Sequence, residues 1–124
     1  MREAKLRIIK YKIWYPDSRL MQGPFDIDIF YRQNSVHPHF AKSENHHYLQ
    51  LTGFKDSAGK FIYEADILKI DDHLYKVYWH EDNNWAIKGI HGAVDADMTR
   101  GIIENDSIVM GNIYEHPELL EKSE

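Results

Sequence analysis

The sequence predicts a mainly β protein made of short antiparallel strands. Apolar and polar residues alternate with period two in several runs, and no long segment shows a 3.6-residue period. Polar clusters rich in Asp, Asn, Ser, Gly and Pro break the chain at intervals of roughly 8–12 residues. That spacing fits a barrel or twisted sheets.

The first strand is expected over Leu6–Tyr15, where Ile9, Tyr11, Ile13 and Tyr15 alternate with Lys10, Lys12 and Trp14. Pro16-Asp17-Ser18 reads as a turn, and Arg19-Leu20-Met21 as a short return strand that Gly23-Pro24 breaks. Phe25, Ile27, Ile29 and Tyr31 share one face of a half-exposed strand, with Asp26 and Asp28 opposite. Residues 32–46 show no period and contain Pro38, so they read as a long excursion. Order returns at Tyr48-Leu49-Gln50-Leu51, and Lys55–Lys60 is a turn in which Gly59 can take positive φ.

Beyond that turn, Phe61–Tyr63 and Ile67–Ile70 are β-rich. Asp71-Asp72-His73 joins the second of these to Leu74–Trp79 as a hairpin. His80–Asn84 is a further polar turn leading to Trp85–Lys88. Residues 89–101 are punctuated by glycine, with a short helix expected around Val94–Thr99. Asn105-Asp106-Ser107 leads into a strand at Ile108–Met110. One or two helical turns close the chain, with Pro117 at the first helical position and Glu118 at the positive end of the helix dipole.

The chain has 124 residues, 43% hydrophobic and 28% charged, which suits one domain with a real core. It has no cysteine, which excludes disulfides, zinc thiolates, iron–sulfur centres and a cysteine nucleophile. No run approaches the roughly 20 apolar residues of a membrane helix. The N-terminal residues go straight into a strand pattern and do not read as a secretory signal. The expected setting is therefore the cytoplasm, without membrane attachment.

The formal net charge is −5, which argues against generic nucleic-acid binding by the average surface. The distribution is uneven. Arg2, Lys5, Arg7, Lys10 and Lys12 make a basic head, and Glu115, Glu118, Glu121 and Glu124 an acidic tail. The two ends could meet within one chain or between chains, although a charge run is most often a solvated face.

Eight histidines are the most suggestive chemical feature. His37, His39, His46 and His47, with Glu44 among them, have the donor chemistry for a divalent metal. Their spacing matches no zinc signature, and a polar loop rich in His explains it as well. Glu64 and Asp66 would share a strand face, where capping of a turn is the simpler role than acid–base work. Asp71-Asp72-His73 and His80-Glu81-Asp82 sit where hairpin turns need polar residues. There is no phosphate-cradling glycine loop and no nucleophile-elbow serine. The expectation is a non-enzymatic protein without a cofactor.

The aromatic content is 13%. Tyr11, Trp14 and Tyr15 lie among basic residues, and Tyr75, Tyr78, Trp79 and Trp85 crowd one hairpin. Such rings fill a small β core, anchor a protein interface or stack single-stranded bases. Lys10, Lys12, Trp14, Tyr78, Trp79 and Trp85 are the candidate binding residues.

The stretch Leu49-Gln50-Leu51-Thr52-Gly53-Phe54-Lys55-Asp56-Ser57-Ala58-Gly59-Lys60-Phe61-Ile62-Tyr63-Glu64-Ala65-Asp66-Ile67 resembles the central signature of the YopX family. Met110-Gly111-Asn112-Ile113-Tyr114-Glu115-His116-Pro117-Glu118-Leu119-Leu120 is similar to that family's closing motif, and Ile9–Trp14 is loosely similar to its opening. The resemblance implies a phage- or prophage-encoded bacterial protein. It also implies an SH3-like β-barrel over residues 48–124, an irregular β part over residues 1–47 and a short C-terminal helix, all in a single YopX-like domain.

The resemblance brings no catalytic or binding residue with it. Its structural residues fall on Gly53, Asp56, Gly59, Tyr63, Glu64, Asp66, Gly111, Asn112, Tyr114 and Pro117. Ala65 stands where the family has glycine, which costs about 1 kcal/mol if the position takes positive φ.

The function expected from these residues is contact with a protein partner, with homo-oligomerisation as one form of it. Single-stranded nucleic-acid binding through Lys10, Lys12 and Trp14 is the alternative, and a metal-dependent hydrolase built on the His cluster is the second.

Overall fold

The computed structural model describes residues 10–26 and 46–121. They fall into two compact units that divide between Gln50 and Leu51. The protein is mainly β.

In the first unit, β1 (Lys10–Tyr15) lies between β2 (Leu20–Asp26) and the first residues of β3 (His47–Lys55). Both pairings are antiparallel, with Tyr11 opposite Phe25 and Gln50, and Trp14 opposite Met21 and His47. Tyr11, Ile13, Trp14 and Leu49 are buried. The Tyr11 ring meets Phe25 at 5.6 Å and Tyr48 at 6.4 Å, within the range of favourable aromatic contacts.

The expected break at Gly23-Pro24 does not occur. β2 runs through it, and one extra residue is absorbed where the register shifts between Tyr11 and Ile13. Among the described strands β2 lies at the sheet edge, where the missing N–H of Pro24 is tolerated. Phe25 and Asp26 therefore close β2 instead of opening a new strand. The remainder of the expected Phe25–Tyr31 strand lies outside the described residues.

In the second unit, the later part of β3 pairs with β4 (Phe61–Tyr63). A five-stranded antiparallel sheet has the order β8-β7-β6-β5-β9. Its strands are β5 (Asp66–Ile70), β6 (His73–His80), β7 (Asn84–Ile90), β8 (Ala96–Asp97) and β9 (Ile108–Asn112). The β5–β6 turn is two residues, Asp71 and Asp72, at φ 50 and 70. Two left-handed residues match the right-handed twist of the strands, and aspartate tolerates that conformation.

Helix α1 (Arg100–Asp106) precedes β9 and buries Ile103. The helix expected around Val94–Thr99 thus forms later in the chain. Ala96 and Asp97 pair with β7 as β8, and Thr99 is the N-cap of α1. Ile103 supplies the buried anchor, and an Arg100–Glu104 ion pair at 3.1 Å adds one turn of support. The closing helical turns form a 3₁₀ helix, Pro117–Leu120, with proline at its start.

One face of the five-stranded sheet carries the core. Leu68, Ile70, Val77, Ile87 and Met98 pack with Ile62 and Ile103, and Phe54, Tyr75, Trp85 and Val109 close around them. Each fully buried aliphatic side chain contributes roughly 1.5–3 kcal/mol.

Candidate interaction surface

The β6–β7 hairpin is paired without interruption from Leu74↔Ile90 to His80↔Asn84. Its turn is closed by the Asn83 N–H donating to the His80 carbonyl at 2.9 Å, with Asn83 at φ 65. The Asp82 N–H also donates to His80 Nδ1 at 3.0 Å. These bonds hold the tip of the hairpin and fix the residues that flank it.

Residue parity then decides which side chains meet. Tyr75 and Val77 belong to the core, so Trp79 follows them on the same face, and Trp85 opposite it does too. The two indoles meet edge to face at 4.9 Å. Trp85 packs on the core, and its carbonyl accepts the Met98 N–H at 3.2 Å. Trp79 lies further toward the tip and is 48% exposed. A large indole is therefore held against a fixed neighbour while half its surface faces solvent. Ordering such a ring on binding costs little entropy, because its neighbour already restrains it.

The opposite face carries Lys69, Lys76, Tyr78 and Lys88. Lys76 and Lys88 are direct cross-strand partners. Tyr78 is thereby separated from Trp79 and Trp85, although the three are close in sequence. Its ring meets His80 at 5.8 Å. The Lys76–Lys88 pairing escaped the sequence reading. The two lysines are twelve residues apart, and only the register set by the 81–83 turn brings them together.

On β1, Trp14 is 6% exposed. It offers no open ring for base stacking, which corrects its expected place beside Lys10 and Lys12. Both lysines are half-buried on the same strand face. His37, His39 and Glu44 lie outside the described residues. His46 packs edge-on against Tyr15 at 4.3 Å, while the next residue, His47, is exposed in β3. Among the described residues no group of three or more His, Asp or Glu is placed to hold a metal. Of the charged ends, Arg2, Lys5, Arg7 and Glu124 are likewise outside the described residues.

The residues of the central signature converge on backbone groups. The Asp56 carboxylate, 4% exposed, accepts N–H groups from Ala58 at 3.0 Å, Lys60 at 2.8 Å and Val109 at 3.0 Å. It therefore builds its own turn and ties it to β9. Thr52 Oγ1 donates to the Ile62 carbonyl at 2.8 Å and accepts the Phe54 N–H at 3.0 Å. Between them Gly53, at φ 89, sits where the β3–β4 register shifts. Gly59 takes φ 84 in the Asp56 turn.

Asp66 Oδ2 accepts the Tyr63 N–H at 2.8 Å, so this buried carboxylate closes the 63–66 turn. Ala65 has φ 73, donates its N–H to Val77 and accepts the Ile113 N–H. The closing motif is a second bonded loop. Asn112 Oδ1 accepts from Tyr114 at 3.0 Å and Glu115 at 2.8 Å, and the Asn112 N–H donates to His116 Nδ1 at 3.2 Å. The His116 ring fills the space above Gly111, where a Cβ would meet its Cγ at 2.7 Å. Burial, and then the nearby Glu64 carboxylate, raise the Tyr114 hydroxyl above its ordinary pKa. These groups serve the fold.

Among the described residues no helix is long and apolar enough to cross a membrane. The described structure is similar to the crystal structure of protein EF1440 from Enterococcus faecalis, with a TM-score of 0.63 at 23% sequence identity. The match covers 92% of this chain and 99% of that one, and shows a shared fold. No curated protein matches the chain. The family model described as YopX protein matches residues 10–121, nearly the whole length, and the chain belongs to the YopX family.

Proposed function

We propose that the protein is a non-enzymatic interaction module that binds a protein partner through Trp79, with Trp85 as its support. The observation that carries this is an indole 48% exposed yet held at 4.9 Å against a second indole on a fully paired hairpin. Tryptophan is the residue most enriched at energetic centres of protein interfaces, and a pre-ordered ring loses least on binding. The similarity to an Enterococcus faecalis protein supports a bacterial setting. A prophage-type accessory role in the host cytoplasm is part of the same proposal.

The SH3-like arrangement of residues 48–124 belongs to the proposal too. An antiparallel order β8-β7-β6-β5-β9, a bulge between Ile67 and Leu68 and one buried cluster on one face support it.

The test is capture from bacterial lysate with wild type and Trp79→Ser, each with and without nuclease. The proposal expects a defined protein that survives nuclease and is lost with Trp79→Ser. Identical capture by both forms, or recovery that collapses with nuclease, would overturn it.

A further inference from the structure

The sheet face opposite the core carries an arrangement that folding alone disfavours. Lys76 and Lys88 stand directly opposite each other on adjacent strands. Like charges at that position destabilise a sheet. Lys88 is exposed and Lys76 half-exposed. Among the described residues neither forms an ion pair, unlike Lys69 with Asp72 and Arg100 with Glu104. The acids at the neighbouring β8 edge hydrogen-bond other groups and form no ion pair with either lysine, although Asp97, paired with Ala86, lies on this same face. Asp95 Oδ1 accepts the Gly89 N–H at 2.8 Å, and Asp97 Oδ1 accepts from Asn84 Nδ2 at 3.0 Å.

The rest of the face extends the pattern. Lys69 pairs with Leu74 two register positions from the Ile67↔Lys76 pair, so its ammonium joins the same side. Its contact with Asp72, at 3.7 Å between exposed side chains, is worth little in water. Tyr78 follows Lys76 on the same face, opposite the small side chain of Ala86. Three lysines and a tyrosine thus lie on one paired sheet face, beside Ile67, which is fully buried opposite Lys76, in a chain whose total charge is −5.

We infer that this face binds single-stranded nucleic acid, with Lys69, Lys76 and Lys88 on phosphates and Tyr78 stacking on a base. The strip of lysines supplies the phosphate-tracking charge, and the ring beside it supplies the platform such binders combine with charge. An acidic protein segment would use the lysines but gain nothing particular from Tyr78. The inference is independent of the Trp79 reading, because the two lie on opposite faces of the hairpin.

Fluorescence anisotropy with a labelled oligothymidylate tests it on the full-length protein. Binding is expected at low salt, with a log–log salt slope near −2 for three phosphate contacts. Lys76→Gln with Lys88→Gln should flatten the slope to about −0.7 and weaken binding by about 10-fold or more. Tyr78→Ala should weaken binding about 5-fold or more at unchanged slope. The glutamine pair keeps the side-chain length and removes a repulsion, so its thermal midpoint should equal or exceed that of wild type. Trp79→Ser should leave oligonucleotide binding intact. The inference is overturned by absence of binding at low salt or by an unchanged slope in the glutamine pair. It is equally overturned if polyglutamate competes as well as the oligonucleotide while Tyr78→Ala has no effect, which would assign the face to an acidic protein.

Discussion

Replacing Asp56 probes the strongest single link between signature and fold. Its carboxylate accepts three backbone N–H groups and is 4% exposed. A hydrogen bond to a charged group is worth about 1.5–3 kcal/mol, and a buried donor left alone costs about 1–3 kcal/mol. Ala58 and Lys60 are exposed, so water can re-solvate their amides in Asp56→Ala. Val109 is half-buried on β9 and recovers less. We predict a loss of about 3–5 kcal/mol, a large part of the 5–15 kcal/mol typical of a domain.

Asp56→Asn keeps one acceptor for the two turn amides but turns an NH₂ toward Val109, and should lose about 2 kcal/mol. Urea unfolding measures both, with midpoints falling in the order wild type, Asn, Ala. Amide exchange adds a positional readout. The Val109 amide should lose protection in Asp56→Asn while the β6–β7 hairpin amides keep theirs. A loss below about 1 kcal/mol for Asp56→Ala would refute the reasoning, since a three-donor acceptor cannot be worth so little.

Three further predictions concern the turns and the closing motif. Ala65→Gly should change stability by less than about 1 kcal/mol, because relief at φ 73 offsets a lost buried methyl, whereas Ala65→Val should cost about 2 kcal/mol or more; urea midpoints check both. Gly111→Ala should cost about 1–3 kcal/mol by displacing the His116 ring from the Asn112 N–H, seen as a moved Asn112 amide resonance. Tyr114 is held neutral above its ordinary pKa, so the unfolded chain ionises first. Its contribution is full below about pH 10 and falls as pH rises through the raised folded value. Glu64→Gln should bring the tyrosinate absorbance transition to lower pH, and an unmoved transition would contradict the Glu64 contribution.

Much of the fold was legible because its determinants are local. Period-two alternation placed β1, β-rich runs placed β6 and β7, and the polar clusters at Asp71-Asp72 and 80–84 placed their turns. Gly23-Pro24 misled, because a break signal loses its force where an edge strand bulges. α1 was misplaced because its single buried anchor, Ile103, gives no periodic signal, and because β8 is formed by pairing to β7 alone. The candidate surface was only half legible. The crowd of aromatics on one hairpin was visible, but register and burial sorted it. They put Trp79 and Trp85 on one face and Tyr78 on the other, buried Trp14 in β1, and set Lys76 against Lys88. Register depends on the turn geometry at Asn83, which composition does not encode.

The central claim is that Trp79 anchors a protein partner. Calorimetric titration of the nuclease-resistant captured protein with purified wild type and Trp79→Ser tests it most directly. The account predicts at least about 30-fold weaker binding by Trp79→Ser, the size of an interface hot spot, with the fold intact. Equal affinity of the two forms would contradict it.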